Sequence, residues 1–342
     1  MSSTQRSTAA SAALPYFTAN DVERLLPLDR AIAAIEAAVR EEPGIDPEQD
    51  SPRLFSPAPN GSFLLMPAQG PAFSGLKALT VAPENPTRGL EKIQGLYVLY
   101  SSDTLAPVAV IEGASLTAIR TPAVTLSAVR RLAAISPESN RLPENPKVLV
   151  FGAGVQALSH IRAASLTFPN ATFDIAGRRP ERVATAIDAL RSAAETADST
   201  VQAVPEGQLD EAISNADIII CVTTASSPIF DGSLVRNGAI VAAAGSHGLD
   251  HREVDDVLVQ RSDIVVEARA SAQRESGNLI SLADDQWRDA GRPGNLRELA
   301  RGEFSRTPDR PALYTGVGMS WEDLVCAEAI FLAAGHSGAE DR

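Results

Sequence analysis

Apolar residues recur at helical spacing through Ala31, Ile32, Ile35, Ala38 and Val39. With Thr18 and Asp21 placed as start signals and Pro43 behind, the spacing predicts one or two helices between Thr18 and Glu42. From Gly44 to Gly75 five prolines (Pro52, Pro57, Pro59, Pro67, Pro71) allow only short strands and turns. Strand-like runs follow at Leu76–Val81, Ile93–Tyr100 and Pro107–Glu112, so this part reads as an antiparallel or mixed sheet. Leu116–Ala134 is apolar at helical spacing and long enough for a substantial helix, and Pro143 and Pro146 mark a boundary after it. Beyond that boundary the pattern changes to six short apolar runs, at Val148–Phe151, Phe173–Ala176, Val201–Val204, Ile218–Val222, Ile240–Ala244 and Ile264–Glu267. Several are separated by Ala-rich helical stretches such as Ala157–Leu166 and Glu181–Ala194. Strand and helix alternating in this way predict a doubly wound parallel sheet. The fold expected is therefore α/β: a Rossmann-type doubly wound domain over 136–310, and a mixed α+β domain from 15–135 and 311–342. Trp321–Ala334 is read as a helix that packs back on the first domain, and residues 1–14 as a disordered tail.

Composition narrows the class. The chain has 342 residues, 44% hydrophobic and 21% charged, with a net charge of −13. That length predicts about two domains with a sizeable core. The acidic balance argues against nucleic acid and anionic membranes as partners. Two cysteines, Cys221 and Cys326, are too few for a disulfide framework or a cysteine-based metal site, and the four histidines form no ligand cluster, so no metal is expected. No apolar run approaches the ~18 residues of a membrane span, and Met1–Ala13 lacks the apolar core of a signal peptide. A cytoplasmic location follows as an expectation. Only three of the 30 basic residues are lysines: Lys77, Lys92 and Lys147. In so arginine-rich a chain, a retained lysine points to a task that needs a titratable amine.

Lys147–Phe151 runs directly into Gly152-Ala153-Gly154-Val155-Gln156-Ala157 and then a helical pattern. This is G-x-G-x-x-A between a strand and a helix. The first glycine permits the tight turn, the second admits a pyrophosphate, and Ala157 lets the helix pack closely on the sheet. The next strand ends in Gly177-Arg178-Arg179 where an NAD site usually carries an acid, and Asp174 lies too early in the strand to serve. Two guanidiniums suit the 2′-phosphate of NADP(H), which is therefore favoured over NAD(H). Loops after two later strands, with Thr223 and Thr224 in one and Gly245, Ser246 and His247 in the other, flank the same crevice.

The first half supplies charges in apolar settings. Lys77 lies in the strand-like Gly75–Val81, and Arg120 interrupts an otherwise apolar helix, which is costly without a partner. Arg53 and Lys92 complete the group.

The segments Leu65–Ala68, Gly75-Leu76-Lys77, Pro83-Glu84-Asn85-Pro86, Leu116–Ala123 and Gly152–Ala157, followed by Ala216-Asp217-Ile218 with Thr223-Thr224, then Gly245-Ser246-His247 and Gly316–Leu324, occur in that order. In this the chain resembles the ornithine cyclodeaminase/μ-crystallin family over about residues 15–335. The resemblance implies a nicotinamide cofactor and a homodimer, with the mixed α+β domain of 15–135 and 311–342 as the substrate-binding and dimerisation domain. It implies that Arg53 and Arg120 hold a substrate carboxylate, with Val317 also at the substrate, and that Lys77 contacts substrate and transfers a proton. It places Lys92 and Gly316 beside the cofactor loops. An arginine fork and a lysine between two arginines suit those tasks. The chain departs from the cyclodeaminases at the substrate. His247 stands where they have an aspartate, Lys92 where they have a threonine, and Thr315-Gly316 where a Lys-Ser pair is common. These changes point to the family's reductases and dehydrogenases, which reduce imino acids or oxidise amino acids, with Lys77 and His247 as candidate proton donors and a small carboxylate-bearing imine or amino acid as substrate. A true ornithine cyclodeaminase and a ligand-binding protein without turnover are the alternatives.

Overall fold

The computed structural model describes residues 13–288 and 292–336. The disordered tail expected at 1–14 lies almost wholly outside the described residues. The chain opens with β1 (Tyr16–Phe17), α1 (Ala19–Leu25) and α2 (Leu28–Arg40). Thr18 caps α1 in a reciprocal box with Asp21, and α2 buries Ala31, Ile32, Ile35 and Val39, the stripe seen in the sequence. Five antiparallel strands follow: β2 (Leu54–Ala58), β3 (Gly61–Gln69), β4 (Phe73–Val81), β5 (Ile93–Ser101) and β6 (Pro107–Glu112). They form a six-stranded sheet in the order β1-β6-β5-β4-β3-β2, with only the β1–β6 pair parallel. The 22-residue helix α3 (Gly113–Ala134) leaves β6 directly, its first N–H groups capped by the Glu112 carboxylate.

The second unit comprises β7 (Lys147–Phe151), α4 (Val155–Thr167), β8 (Thr172–Ala176), α5 (Pro180–Arg191), β9 (Thr200–Ala203), α6 (Leu209–Asn215), β10 (Ile218–Cys221), β11 (Ile240–Ala243), α7 (Asp256–Arg261), β12 (Asp263–Val266), α8 (Arg269–Glu275), β13 (Gly294–Asn295), α9 (Leu296–Arg301) and β14 (Ala312–Thr315). All eight strands are parallel, in the order β13-β12-β14-β11-β10-β7-β8-β9. The order runs outward both ways from the β7–β10 pair, which is the switch point where such sheets bind ligands. The carboxyl edge is in register. Ala176, Phe151, Cys221, Ala243, Thr315 and Val266 form one cross-strand row, so the loops that follow these residues leave from a common rim.

One boundary moves. Ala312–Thr315 falls in the segment 311–342 assigned above to the first domain, yet β14 pairs between β11 and β12 inside the parallel sheet. Its four residues, all buried, fill the gap in mid-sheet that six strands would leave. Only the following helix, α10 (Ser320–Ala333), returns to pack on α2, α3 and strands β3–β5. The units are also tied by Glu48, which accepts from the Arg269 and Ala270 backbone N–H groups and from Asn295 Nδ2. No helix among the described residues is long and apolar enough to cross a membrane.

Candidate active site

Lys77 projects from the middle of β4, between Met66 on β3 and Tyr97 on β5. It is fully buried, and its Nζ donates to Asp323 Oδ1 at 2.8 Å. Asp323 lies in the first turn of α10, so the returning helix delivers its counter-ion. The same Oδ1 is 3.4 Å from Arg120 Nε, while Arg120 Nη1 donates to Glu322 Oε2 at 2.6 Å. Burial pushes the Lys77 ammonium down to about 8, partly offset by Asp323 and reinforced by the Arg120 charge. Burial, together with the neighbouring Glu267 carboxylate, pushes Glu322 well above the usual carboxyl range.

Gly318 brings the two arginines together. Its φ is +76°, and a Cβ there would lie 2.6 Å from Arg120 Nη1 and 2.9 Å from Nη2. A glycine is required on both counts. On its other side Arg53 Nη2 donates to the carbonyl of Gly318 and, at 2.8 Å, to that of Val317. Arg53 Nε pairs with Glu275 Oε2 at 2.7 Å. The loop is fixed from beneath by Glu267, whose carboxylate accepts the N–H groups of Val317 (2.9 Å) and Gly318 (3.0 Å).

The parallel sheet presents a second half-site on its common rim. Gly152 follows β7 with φ +125°, and a Cβ on it would meet the Val222 carbonyl oxygen at 2.8 Å. Gly154 is the N-cap of α4, offers no side-chain cap, and has no atom within 4 Å of where its Cβ would stand. With φ −100° the protein itself does not need a glycine there. The open space in front of uncapped N–H groups fits a dinucleotide pyrophosphate. Ala157 is fully buried against the sheet, and Val155 is exposed at the helix start. The Gln156 side chain turns away and donates to Thr117 O of α3 at 3.4 Å, so only its backbone faces the loop. Arg178 and Arg179 lie exposed after β8 and make no ion pair among the described residues, while Asp174 is engaged by Gln202 Nε2 at 2.8 Å.

Glu253, fully buried, was not legible as a functional residue. Its carboxylate accepts from Thr223 N (2.6 Å), Thr223 Oγ1 (2.7 Å) and Gly245 N (2.8 Å), clamping the loops after β10 and β11 to each other. Thr224 beside it is exposed. Gly316 sits against Glu267 and Tyr314, with no room for a side chain. His247 is exposed on the rim, where residual desolvation and the Arg53 guanidinium hold it below the usual imidazole range. Lys92 is exposed in the connection before β5 and makes no side-chain bond or ion pair among the described residues. Met319 and Trp321 are core residues. Two cavities, of about 250 and 230 Å³, lie between α1, α3 and α4 and beneath β12. Neither touches the Lys77 cluster, so chemistry rather than volume locates the site.

A glycine loop at the rim of a parallel sheet, and a buried Lys–Arg cluster whose arginines meet Val317–Gly318 just after β14 of that sheet, define a Rossmann-type oxidoreductase architecture. The chain belongs to the ornithine cyclodeaminase/mu-crystallin family, which it matches over residues 16–337. Delta(1)-pyrroline-2-carboxylate reductase 2 of Burkholderia ambifaria is 30% identical over 323 residues, 92% of this chain and 95% of that relative. Ketimine reductase mu-crystallin of Mus musculus is 29% identical over 275 residues, 79% of this chain and 80% of that relative. The structure of Thermococcus litoralis Delta(1)-pyrroline-2-carboxylate reductase in complex with NADH and L-proline shares the fold, with a TM-score of 0.79 at 24% identity over 94% of this chain and 97% of that one.

Proposed function

We propose that this protein is an NAD(P)H-dependent reductase of small imino acids of the Delta(1)-pyrroline-2-carboxylate or ketimine type. The observation that carries the reading is the buried Lys77, poised near neutrality beside Asp323 and Arg120, on the domain that faces the dinucleotide rim. The curated relatives are named as such reductases.

In this reading Arg53 and Arg120, brought to either side of Gly318, hold the substrate carboxylate, and Val317 walls the same position. Arg120 enters the task with two guanidinium edges committed to Glu322 and Asp323, which fixes its orientation before substrate arrives. Lys77 gives a proton to the imine nitrogen, and His247, exposed on the rim, is the less constrained donor. Gly152, Gly154 and the loops carrying Thr223 and Gly245 would hold a nicotinamide dinucleotide, which would supply hydride when bound. Glu253 holds those two loops at fixed spacing through its bonds to Thr223 and Gly245. Arg178 and Arg179, without an ion pair among the described residues at the end of β8, favour a 2′-phosphate and hence NADP(H).

A homodimer through the first domain completes the reading. The face of the mixed sheet opposite Lys77 carries the cross-strand row Leu54, Leu65, Ala78 and Leu96, with Phe63 exposed beside it. An apolar sheet face of this kind suits a second copy. The cytoplasm is the proposed location.

The test follows reduced-nicotinamide absorbance with NADPH and NADH against cyclic and open 2-imino acids, with ornithine and an ammonia assay alongside. Oxidation of NADPH by an imino acid is the expected outcome. Ammonia and proline from ornithine without net cofactor change would replace the reductase by a cyclodeaminase.

A further inference from the structure

Hydride transfer sets a geometric demand: two reacting atoms, one on the cofactor and one on the substrate, must be held about 3–3.5 Å apart. Different loops would hold the two ligands. Those carrying Thr223 and Gly245 serve the cofactor, and Val317–Gly318 with Arg53 serves the substrate. These loops leave three adjacent strands, β10, β11 and β14. The parallel ladder between the strands ends at Ala244 N to Cys221 O (2.9 Å) and Gly316 N to Ala243 O (3.0 Å). Past those bonds a chain of buried side chains takes over.

The chain is continuous, and every link is a hydrogen bond. One oxygen of the Glu253 carboxylate accepts from Thr223, after β10, and the other from Gly245 N, after β11, at 2.8 Å. The Glu253 N–H donates to Asn278 Oδ1 at 2.7 Å, and the Val254 N–H joins it there at 3.3 Å. Two backbone donors on one atom fix which end of the Asn278 amide is the oxygen. The Nδ2 end is left to donate to Thr315 Oγ1 at 3.1 Å, on the last residue of β14. Ser276 Oγ lies 3.4 Å from the same hydroxyl. Glu253, Asn278 and Thr315 are each at most 1% exposed, so water does not compete for these bonds and a partner removed is not replaced. The backbones approach closely on both sides. A Cβ on Gly245 would stand 2.2 Å from Thr223 N and 2.6 Å from Glu253 Oε1, and one on Gly277 would stand 2.1 Å from the His251 carbonyl oxygen. The turn that carries Asn278 also reaches the substrate side, because Glu275, three residues earlier, pairs with Arg53 at 2.7 Å.

We infer that Asn278 is a positioning residue for hydride transfer: it ties the cofactor loops, through Glu253, to the start of the substrate loop, through Thr315. Asn278 carries neither proton nor hydride and acts through the loops it joins. The inference rests on the imine-reductase reading. With the bridge cut, each half-site keeps its own ligand contacts, but the two no longer hold the reacting distance.

Three substitutions cut the bridge at different links. Thr315→Val removes the hydroxyl at nearly constant volume, Asn278→Ala removes the middle, and Glu253→Gln replaces one of the two acceptor oxygens by an amide donor. The assay mixes NADPH-loaded protein with excess pyrroline-2-carboxylate in a stopped-flow single turnover. In Thr315→Val the rate of NADPH oxidation is expected to fall about tenfold or more, with the NADPH Kd from fluorescence titration and the imine KM within about twofold. The amplitude should stay at the wild-type level, because a merely weakened fold loses active sites, not rate. Thr315→Ser, which keeps the hydroxyl, should recover most of the rate, and Asn278→Ala and Glu253→Gln should lose it as Thr315→Val does. Should Thr315→Val fail to fold, those two carry the same readouts. Wild-type single-turnover rates in Thr315→Val and Asn278→Ala would overturn the inference. So would a loss in Thr315→Val with Asn278→Ala at the wild-type rate, which would put Thr315 itself on a ligand. Lost amplitude at an unchanged rate would overturn it too and leave the bridge a structural brace. Absence of wild-type turnover on every imino acid would instead overturn the reductase reading on which the inference rests.

Discussion

Replacing Asp323 by Asn tests the Lys77 assignment most directly. The amide keeps an oxygen near Nζ, 2.8 Å away in the native pair, but removes the charge that Lys77 and Arg120 share. A hydrogen bond to a charged partner is worth about 1.5–3 kcal/mol and a neutral one about 1, so the ammonium loses roughly 1–2 kcal/mol of support. At 1.36 kcal/mol per pKa unit that is about one unit. Lys77, held at about 8 in the native protein, moves to about 7. If Lys77 is the proton donor, the protonated lysine is the active form and activity is lost as pH rises through its pKa. At pH 8 the protonated fraction falls from about one half to about one tenth, a roughly fivefold loss in kcat, while at pH 6 the two proteins differ little. The assay is kcat for NADPH-dependent imine reduction from pH 5.5 to 9.5. An alkaline limb that stays near 8 in Asp323→Asn, whatever the absolute rate, would refute Lys77 as the proton donor.

Three further outcomes are expected. Gly154→Ala should leave the unfolding transition within about 0.5 kcal/mol of wild type, because the backbone there is unstrained and the Cβ meets nothing, yet weaken dinucleotide binding at least tenfold by fluorescence titration; undiminished affinity would remove the pyrophosphate from this loop. Arg178→Asp should reverse the ratio of NADPH to NADH dissociation constants, and an unchanged ratio would mean that the arginines do not read the 2′-phosphate. Burial pushes Asp50, which accepts the Ser320 N–H at the start of α10, up to about 7 in the folded protein against an unfolded value near 3.8, so the folded state holds more protons between them and stability falls as pH rises through that window. Discounted for its contact with water, the effect is about 1–2 kcal/mol between pH 5 and 8, and urea denaturation should show it flattened in Asp50→Asn.

Much of this was legible because charge stood out against apolar sequence. Lys77 and Arg120 interrupt a strand and a helix that are otherwise hydrophobic, and the glycine loop is bracketed by a strand and a helix. The acids that make these cations work were less visible. Glu322 and Asp323 sit in an apolar helix as Arg120 does, and that was the signal available for them. Glu253 and Glu275 lie in ordinary polar contexts and Glu267 at the end of an apolar run, and their importance depends on which loops the parallel sheet brings to one rim. The strand Ala312–Thr315 was missed for a related reason. Four residues long, directly before a motif shared with the first domain, it has no periodicity of its own, and only the two neighbours it separates give it a place.

That strand and the helix after it bear on the order in which the protein can assemble. Domains of a nascent chain ordinarily fold from the N-terminus as they emerge, but here both units wait for the same late segment. Until residues 312–315 arrive, β11 and β12 have no strand between them, and until Glu322 and Asp323 arrive, Lys77 and Arg120 are cations without partners in an apolar interior. The first domain thus lacks the carboxylates that neutralise its buried cations until the last helix is made, and one short stretch of chain completes both halves together.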